Sequence, residues 1–144
     1  MDVPEVNLIA SSKGSLARRM WCARIAAVLL ILHGVIEIAG LALIGSHPGA
    51  LTAFGGLTGS LLEENIQTVA LFGVLWGVAR LAAAWGSWTL KKWAVALGII
   101  LSTITMIAAV TIIPAGFTDT LFSTPALILL LYTWFGNTEI TEKN

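Results

Sequence analysis

The sequence predicts an all-α polytopic membrane protein, a four-helix transmembrane bundle with both termini in the cytoplasm. Three observations lead to this prediction: the composition, the length of the apolar runs, and the placement of Lys and Arg. Hydrophobic residues make up 57% of the chain and charged residues only 11%. Soluble domains carry about a quarter charged residues, so this chain has too few polar side chains to cover a surface that faces water. We therefore expect its surface to face lipid.

Four apolar runs are the expected helices, and they cover residues 21–44, 66–88, 93–113 and 120–136. At ~1.5 Å per residue, runs of about this length cross the ~30 Å hydrocarbon core of a bilayer. Helices are expected because each one satisfies its own backbone hydrogen bonds inside lipid. Pro125 falls in the first turn of the last run, where a missing amide proton costs least.

The segments outside the apolar runs are short. Residues 1–17 and 137–144 are polar and are expected to be flexible tails around a transmembrane domain at 18–136. The outer link, residues 45–65, is rich in glycine, which argues against a stable helix there. None of these segments has the size of a further domain.

The basic residues set the expected orientation. They flank one side of the runs: Lys13, Arg18, Arg19 and Arg24 at the N-terminal side, and Lys91 and Lys92 between the second and third runs. The other two links carry no Lys or Arg. The positive-inside rule then puts both termini in the cytoplasm of a multi-pass protein of the inner or plasma membrane. Interfacial tryptophans are expected at the same ends: Trp21, Trp85, Trp88, Trp93 and Trp134.

An intramembrane polar cluster is the main candidate site. It consists of His33, Glu37, Arg80, Ser102 and Thr105. An unpaired charge at the bilayer centre costs ~2.5 to 3.5 kcal/mol, so we expect Glu37 and Arg80 to pair, with His33 beside them. Hydrogen bonds from Ser102 and Thr105 would complete the cluster. Two interpretations stay open, a structural ion pair and a carboxylate that carries a proton or cation.

Small residues mark the expected contacts between helices: Gly40, Gly73, Gly77 and Gly98. Gly73 and Gly77 form a G-x-x-x-G pattern, which lets a neighbouring backbone come close. The single Cys22 excludes an internal disulfide and a multi-cysteine metal site. His33 has no second histidine within a span to share a metal ion. No catalytic constellation is present, so we expect no enzyme, no cofactor and no metal.

The segment from Gly73 to Ile107 contains Gly-Ser-Trp-Thr-Leu-Lys-Lys-Trp-Ala-Val-Ala-Leu at its middle. It resembles uncharacterised small prokaryotic integral membrane proteins of about four spans, as does His-Gly-Val-Ile-Glu-Ile-Ala-Gly in the first run. The resemblance covers the first three spans and implies no activity.

The expected function is that of a non-catalytic small integral membrane protein that acts by helix association, as an accessory subunit or a self-assembling module. The alternative is a small proton- or cation-coupled transporter or channel that uses Glu37 with His33 and Arg80. The expected partners are the lipid bilayer and either further copies of the chain or a larger membrane complex. The net charge of zero offers no attraction for nucleic acid.

Overall fold

The computed structural model describes residues 6–46, 64–111 and 116–136, and these residues form four helices. They are α1 Val6–Ser46, α2 Ile66–Trp88, α3 Lys92–Thr111 and α4 Gly116–Phe135. The predicted all-α fold is confirmed, and the second predicted run coincides with α2. Most of the outer link and the C-terminal tail lie outside the described residues.

The first helix is longer than predicted. Residues 6–17 were expected to belong to a flexible tail, but the structure places them in α1. The physical reason is that no proline interrupts the chain between Pro4 and Pro48, so nothing in the segment forbids the helical backbone. The polar residues of this segment do not prevent it from being helical.

The fourth helix also begins earlier than predicted. It starts at Gly116, so Pro125 lies in its interior instead of its first turn. Pro125 cannot donate the usual backbone hydrogen bond to the carbonyl of Leu121. Helices in membranes tolerate such a residue when neighbouring helices support them. The early start brings Asp119 into the first turn of α4.

The four helices form an antiparallel bundle in which α1 and α3 each pack against both α2 and α4. The turn at residues 89–91 joins α2 to α3, and we call this end of the bundle the turn end. The opposite end, where α1 ends and α2 begins, is called the link end. In the turn, Lys91 donates a backbone hydrogen bond to the carbonyl of Gly86, at 2.8 Å. Leu90 adopts a left-handed backbone with φ 62°, a conformation that favours glycine.

Small residues let the helices approach closely. A methyl group at Gly77 would lie 2.7 Å from Cγ1 of Ile38 and 3.1 Å from the carbonyl of Gly34, so α1 and α2 meet backbone to backbone there. The core toward the turn end is also made of small and branched residues, namely Ala26, Ala27, Leu30, Ala83, Ala84, Val95, Leu101, Ala126 and Leu130. Close approach of this kind gives membrane helices their dispersion contacts.

Among the residues that the structure describes, three segments are long and apolar enough to cross a membrane: Ser15–Gly40, Ala70–Trp88 and Lys92–Thr111. Large apolar side chains point outward along them, for example Phe72, Ile107 and Val110. Such a surface is typical of a protein that faces lipid. A crossing by α4, which carries Asp119 and Pro125, stays a prediction.

Candidate functional site: a polar cluster shared by four helices

The structure brings polar side chains from all four helices together in the half of the bundle nearer the link end. We call this group the polar cluster, and its members are His33, Glu37, Trp76, Arg80, Thr105, Asp119 and Ser123. His33 and Glu37 are one turn apart on α1, so both face the same side of that helix. The other helices supply the groups that these two side chains meet.

Glu37 and Arg80 lie next to each other, an arrangement that is favoured because an unpaired charge in lipid is costly. The distance from Arg80 Nε to Glu37 Oε2 is 3.3 Å. Arg80 is almost completely buried, with 1% of its side chain exposed, whereas 21% of the Glu37 side chain is exposed. The two groups make a charge contact without an aligned hydrogen bond, because both Arg80 Nε and Glu37 Oε2 are buried without a hydrogen-bond partner in the described chain. Their attraction is therefore mainly electrostatic.

Thr105 holds the other side of the Arg80 guanidinium. Arg80 Nη2 donates to Thr105 Oγ1, and Trp76 Nε1 donates to the same oxygen at 3.3 Å. The Thr105 hydroxyl donates in turn to the carbonyl of Leu101, at 2.9 Å. One hydroxyl on α3 thus accepts from two donors on α2. Trp76 lies in the middle of α2, away from the tryptophans at the ends of the runs, and Thr105 is the partner of its indole N–H.

His33 connects α1 to α4. Its Nε2 lies 3.1 Å from Asp119 Oδ1 and 4.0 Å from Glu37 Oε1, and its Nδ1 lies 3.4 Å from Ser123 Oγ. The imidazole is buried, while 46% of the Asp119 side chain is exposed. If Nε2 carries the proton, it donates to Asp119, and Nδ1 can accept from the Ser123 hydroxyl. The cluster is therefore connected to the surface through Asp119.

Sequence reasoning missed Asp119 and Ser123. It assigned Asp119 to the link before the fourth run, because the run was expected to begin at residue 120. Once α4 begins at Gly116, Asp119 and Ser123 are one turn apart on one face of that helix. That spacing, which matches the spacing of His33 and Glu37, was a signal that could have identified them.

Ser102 and Thr105, the two predicted cluster residues on α3, differ in their hydrogen bonding. Thr105 binds Arg80 and Trp76, but the hydroxyl of Ser102 is buried without a hydrogen-bond partner in the part of the chain that the structure describes. The expectation that Ser102 hydrogen-bonds to the cluster is therefore not met. Ser102 lies almost one turn closer to the turn end than Thr105, which already holds the guanidinium.

Of the predicted packing glycines, Gly77 meets the backbone of α1 at Gly34. Gly73 is half-buried one turn further toward the link end. A methyl group at Gly40 would meet no atom of the described chain within 4 Å, so the described residues provide no contact for its predicted packing role. The reason is the direction in which Gly40 points around the axis of α1. At ~100° per residue, Gly40 points about 120° away from Gly34, which makes the contact with α2.

Gly98, another predicted packing glycine, lies at the centre of the bundle. A methyl group there would lie 2.8 Å from Cδ1 of Leu130 and 3.2 Å from Cδ1 of Leu30. Both leucines are fully buried. We call Leu30, Gly98 and Leu130 the apolar layer, since they separate the polar cluster from the turn end.

Beyond the apolar layer, basic side chains of α1 contact the other helices. Arg19 is buried and donates from Nε and Nη2 to the carbonyl of Thr133, at 3.2 and 2.5 Å. The Arg24 guanidinium lies 5.8 Å from the centre of the Trp88 ring, in a cation–π arrangement. Sequence reasoning used these arginines to set the topology and did not predict their contacts with other helices. The five tryptophans expected at this end are all exposed: Trp21, Trp85, Trp88, Trp93 and Trp134.

In comparisons with known proteins, no family model, no curated protein and no solved structure matches the chain. Within residues 6–46, 64–111 and 116–136, no group of three or more His, Cys, Asp or Glu side chains is arranged to hold a metal ion.

Proposed function

We propose that this chain is a non-catalytic, four-span protein of the inner or plasma membrane that works by helix association, as an accessory subunit or a self-assembling module. One observation carries the proposal: the charged groups of the polar cluster contact one another, and the apolar layer lies directly beneath them. A carrier would need a polar route past Leu30 and Leu130, whose side chains meet at Gly98. The cluster is therefore better suited to fixing the positions of four helices than to moving a solute through them.

The membrane location is supported by the outward-facing apolar side chains of α1, α2 and α3. The orientation is supported by the concentration of Arg, Lys and exposed Trp at the turn end, as expected for a cytoplasmic interface. In this orientation the cluster opens, through Asp119, toward the non-cytoplasmic side. A fourth crossing is supported by the antiparallel packing of α4 along α1 and α3.

Cysteine accessibility tests the orientation. In a Cys22→Ser background, Ser46→Cys at the link end should react with a membrane-impermeant reagent added to intact cells. Lys91→Cys in the α2–α3 turn should react only after the cells are permeabilised. The reverse pattern would invert the proposed topology.

Association is tested by purifying the tagged chain from membranes at its native expression level, in a mild detergent and after lysine-independent cross-linking. We expect either a second membrane protein in fixed stoichiometry or a discrete homo-oligomer in native mass spectrometry. A single copy of the chain that carries only lipid, with and without cross-linking, would contradict the proposal.

The transporter alternative has one observation in its favour. Asp119 is partly exposed and lies 3.1 Å from buried His33, which in turn lies 4.0 Å from Glu37. A proton could reach Glu37 from the link end along these groups. Proteoliposomes decide between the two functions. Under our proposal, the wild-type chain gives no more pH-driven flux than empty liposomes. Flux that is lost in Glu37→Gln and kept in Glu64→Gln, a matched change at an exposed residue, would favour the transporter instead.

A further inference from the structure

The polar cluster carries more negative than positive charge. Glu37 and Asp119 contribute two carboxylates, whereas Arg80 contributes one guanidinium. No other Lys or Arg occurs between residues 25 and 90 of the chain, and none occurs between residues 93 and 142. The segments that form the link end therefore supply no second basic side chain of this kind. One negative charge of the cluster stays unbalanced, and such a charge is costly inside a membrane protein.

His33 is placed where it can balance this charge. Its Nε2 lies 3.1 Å from Asp119 Oδ1 and 4.0 Å from Glu37 Oε1, so one ring nitrogen faces both carboxylates. Its Nδ1 lies 3.4 Å from Ser123 Oγ, and a hydroxyl oxygen can accept a hydrogen bond as well as donate one. The oxygens around the ring can therefore all act as acceptors. This environment suits an imidazolium, in which both ring nitrogens are donors.

Each carboxylate of the cluster already has another positive neighbour. Glu37 lies beside the Arg80 guanidinium, at 3.3 Å. Asp119 lies in the first turn of α4, where the helix dipole favours the ionised form, and 46% of its side chain is exposed. An added proton is therefore best placed on the imidazole of His33. There it converts a hydrogen bond from a neutral ring into a stronger, charge-assisted one.

From this arrangement we propose that the polar cluster is a proton-binding site, in which His33 takes up one proton from the link end and thereby strengthens the contact between α1 and α4. The proton enters through Asp119, which is the more exposed of the two carboxylates. The inference rests on the structural role proposed for the cluster and adds that pH regulates it. Imidazole side chains titrate near pH ~6.5 in water, which sets the range to be tested.

The groups that surround His33 come from all four helices. Glu37 lies on the same helix, and Asp119 faces the ring from α4. From α2, Arg80 contacts Glu37, and it keeps its positive charge throughout the range tested. From α3, the cluster receives the Thr105 hydroxyl, which does not titrate in this range. A change of charge near pH ~6.5 is therefore assigned to the imidazole.

A double-mutant cycle between His33 and Asp119 measures the strength of the contact at two pH values. The full-length chain, His33→Gln, Asp119→Asn and the double variant are unfolded in mixed micelles at about pH 5.5 and at about pH 8.5, on either side of the imidazole range. We expect the coupling in the unfolding equilibrium constant to be about fivefold larger at the lower pH, which corresponds to about 1 kcal/mol, because a hydrogen bond from a charged ring is stronger. Equal coupling at both pH values, or a larger coupling at the higher one, would overturn the proposal.

Nitrogen NMR of the imidazole locates the proton directly and does not require every variant of the cycle to fold. The chain is labelled at its histidine nitrogens and carries His47→Gln, so that His33 is its only histidine. We expect both ring nitrogens of His33 to become protonated as the pH is lowered. Asp119→Asn should reduce the proton affinity of His33 about fivefold, the same factor as the coupling, because linkage between two sites is reciprocal. A ring that stays neutral down to about pH 5.5 would place the proton elsewhere and refute the proposal.

Two controls separate the site from general effects of charge. Glu64→Gln removes one negative charge from an exposed position at the link end, and it should leave the proton affinity of His33 unchanged. An equal reduction in Glu64→Gln and Asp119→Asn would mean that the ring responds to the overall charge of this end, which would overturn the site. Replacing sodium by choline at constant pH should leave the coupling unchanged, and a coupling that follows the sodium concentration would assign the balancing charge to a metal cation instead. These measurements use the purified chain without a partner or a flux assay, so they can fail or succeed independently of the tests of association and transport.

Discussion

Removing either member of the Glu37–Arg80 pair should destabilise the protein, and the two losses should be unequal. Coulomb attraction over their 3.3 Å contact is about 5 kcal/mol at an effective dielectric constant of ~20, before desolvation is subtracted. Glu37→Gln leaves the charged guanidinium of Arg80 buried beside the Thr105 hydroxyl and without a carboxylate, so we expect a loss of about 3 to 5 kcal/mol. Arg80→Gln leaves Glu37 with 21% of its side chain exposed and with His33 4.0 Å away, so we expect a smaller loss, of about 1 to 3 kcal/mol.

The double variant should be more stable than the sum of the two losses predicts, by about 1 to 3 kcal/mol, because two neutral amides leave no buried charge. The free energy of unfolding can be measured by titrating mixed micelles with a denaturing detergent while tryptophan fluorescence is recorded. Glu64→Gln, at an exposed position just before α2, is the matched control and should change stability by no more than about 0.5 kcal/mol. Additive losses, or a larger loss for Arg80→Gln than for Glu37→Gln, would refute the argument from burial.

Three further predictions concern packing, the turn and the turn end. Gly77→Leu should lower the free energy of unfolding by about 1 to 3 kcal/mol, because the leucine overpacks against α1, whereas Val78→Leu at an exposed position should lower it little. Equal losses for the two variants in the unfolding titration would contradict the contact between Gly77 and α1. Leu90→Gly should raise stability by about 0.5 to 1 kcal/mol, because glycine adopts a φ of 62° without strain; a lower melting temperature would argue against the left-handed turn. Arg19→Gln should lower the free energy of unfolding by about 1.5 to 3 kcal/mol, whereas Thr133→Val keeps the carbonyl acceptor and should lower it less. The opposite order would mean that the contact between Arg19 and the Thr133 carbonyl does not stabilise the turn end.

The all-helical fold could be predicted from the sequence alone because it depends on local properties. A long uncharged apolar run must satisfy its own backbone in lipid, and that requirement determines helices wherever the run lies. The adjacency of Glu37 and Arg80 could be anticipated for a similar reason, since the cost of an isolated charge in lipid does not depend on the details of packing. The exposed tryptophans at the turn end follow from their positions at the ends of the runs.

The remaining members of the polar cluster depended on the tertiary structure. Which carboxylate meets His33 depends on where α4 begins and on how it is rotated against α1, and the sequence placed Asp119 outside the helix. Whether Ser102 or Thr105 holds Arg80 depends on the axial offset between α2 and α3. Neither quantity can be read from the composition or periodicity of a single helix.

Packing illustrates the same division between local and tertiary information. The sequence identified small residues such as Gly40 and Gly77 on the helix faces, but only the structure decided that Gly77 meets Gly34 and that Gly40 meets nothing within 4 Å in the described chain. Likewise, Arg19 binds the backbone carbonyl of Thr133. Because every residue has such a carbonyl, the sequence did not indicate which one Arg19 would bind. The sequence determined which residues are costly to leave unpaired in lipid. The rotation and offset of the packed helices determined their partners, because those two quantities result from contacts between distant parts of the chain.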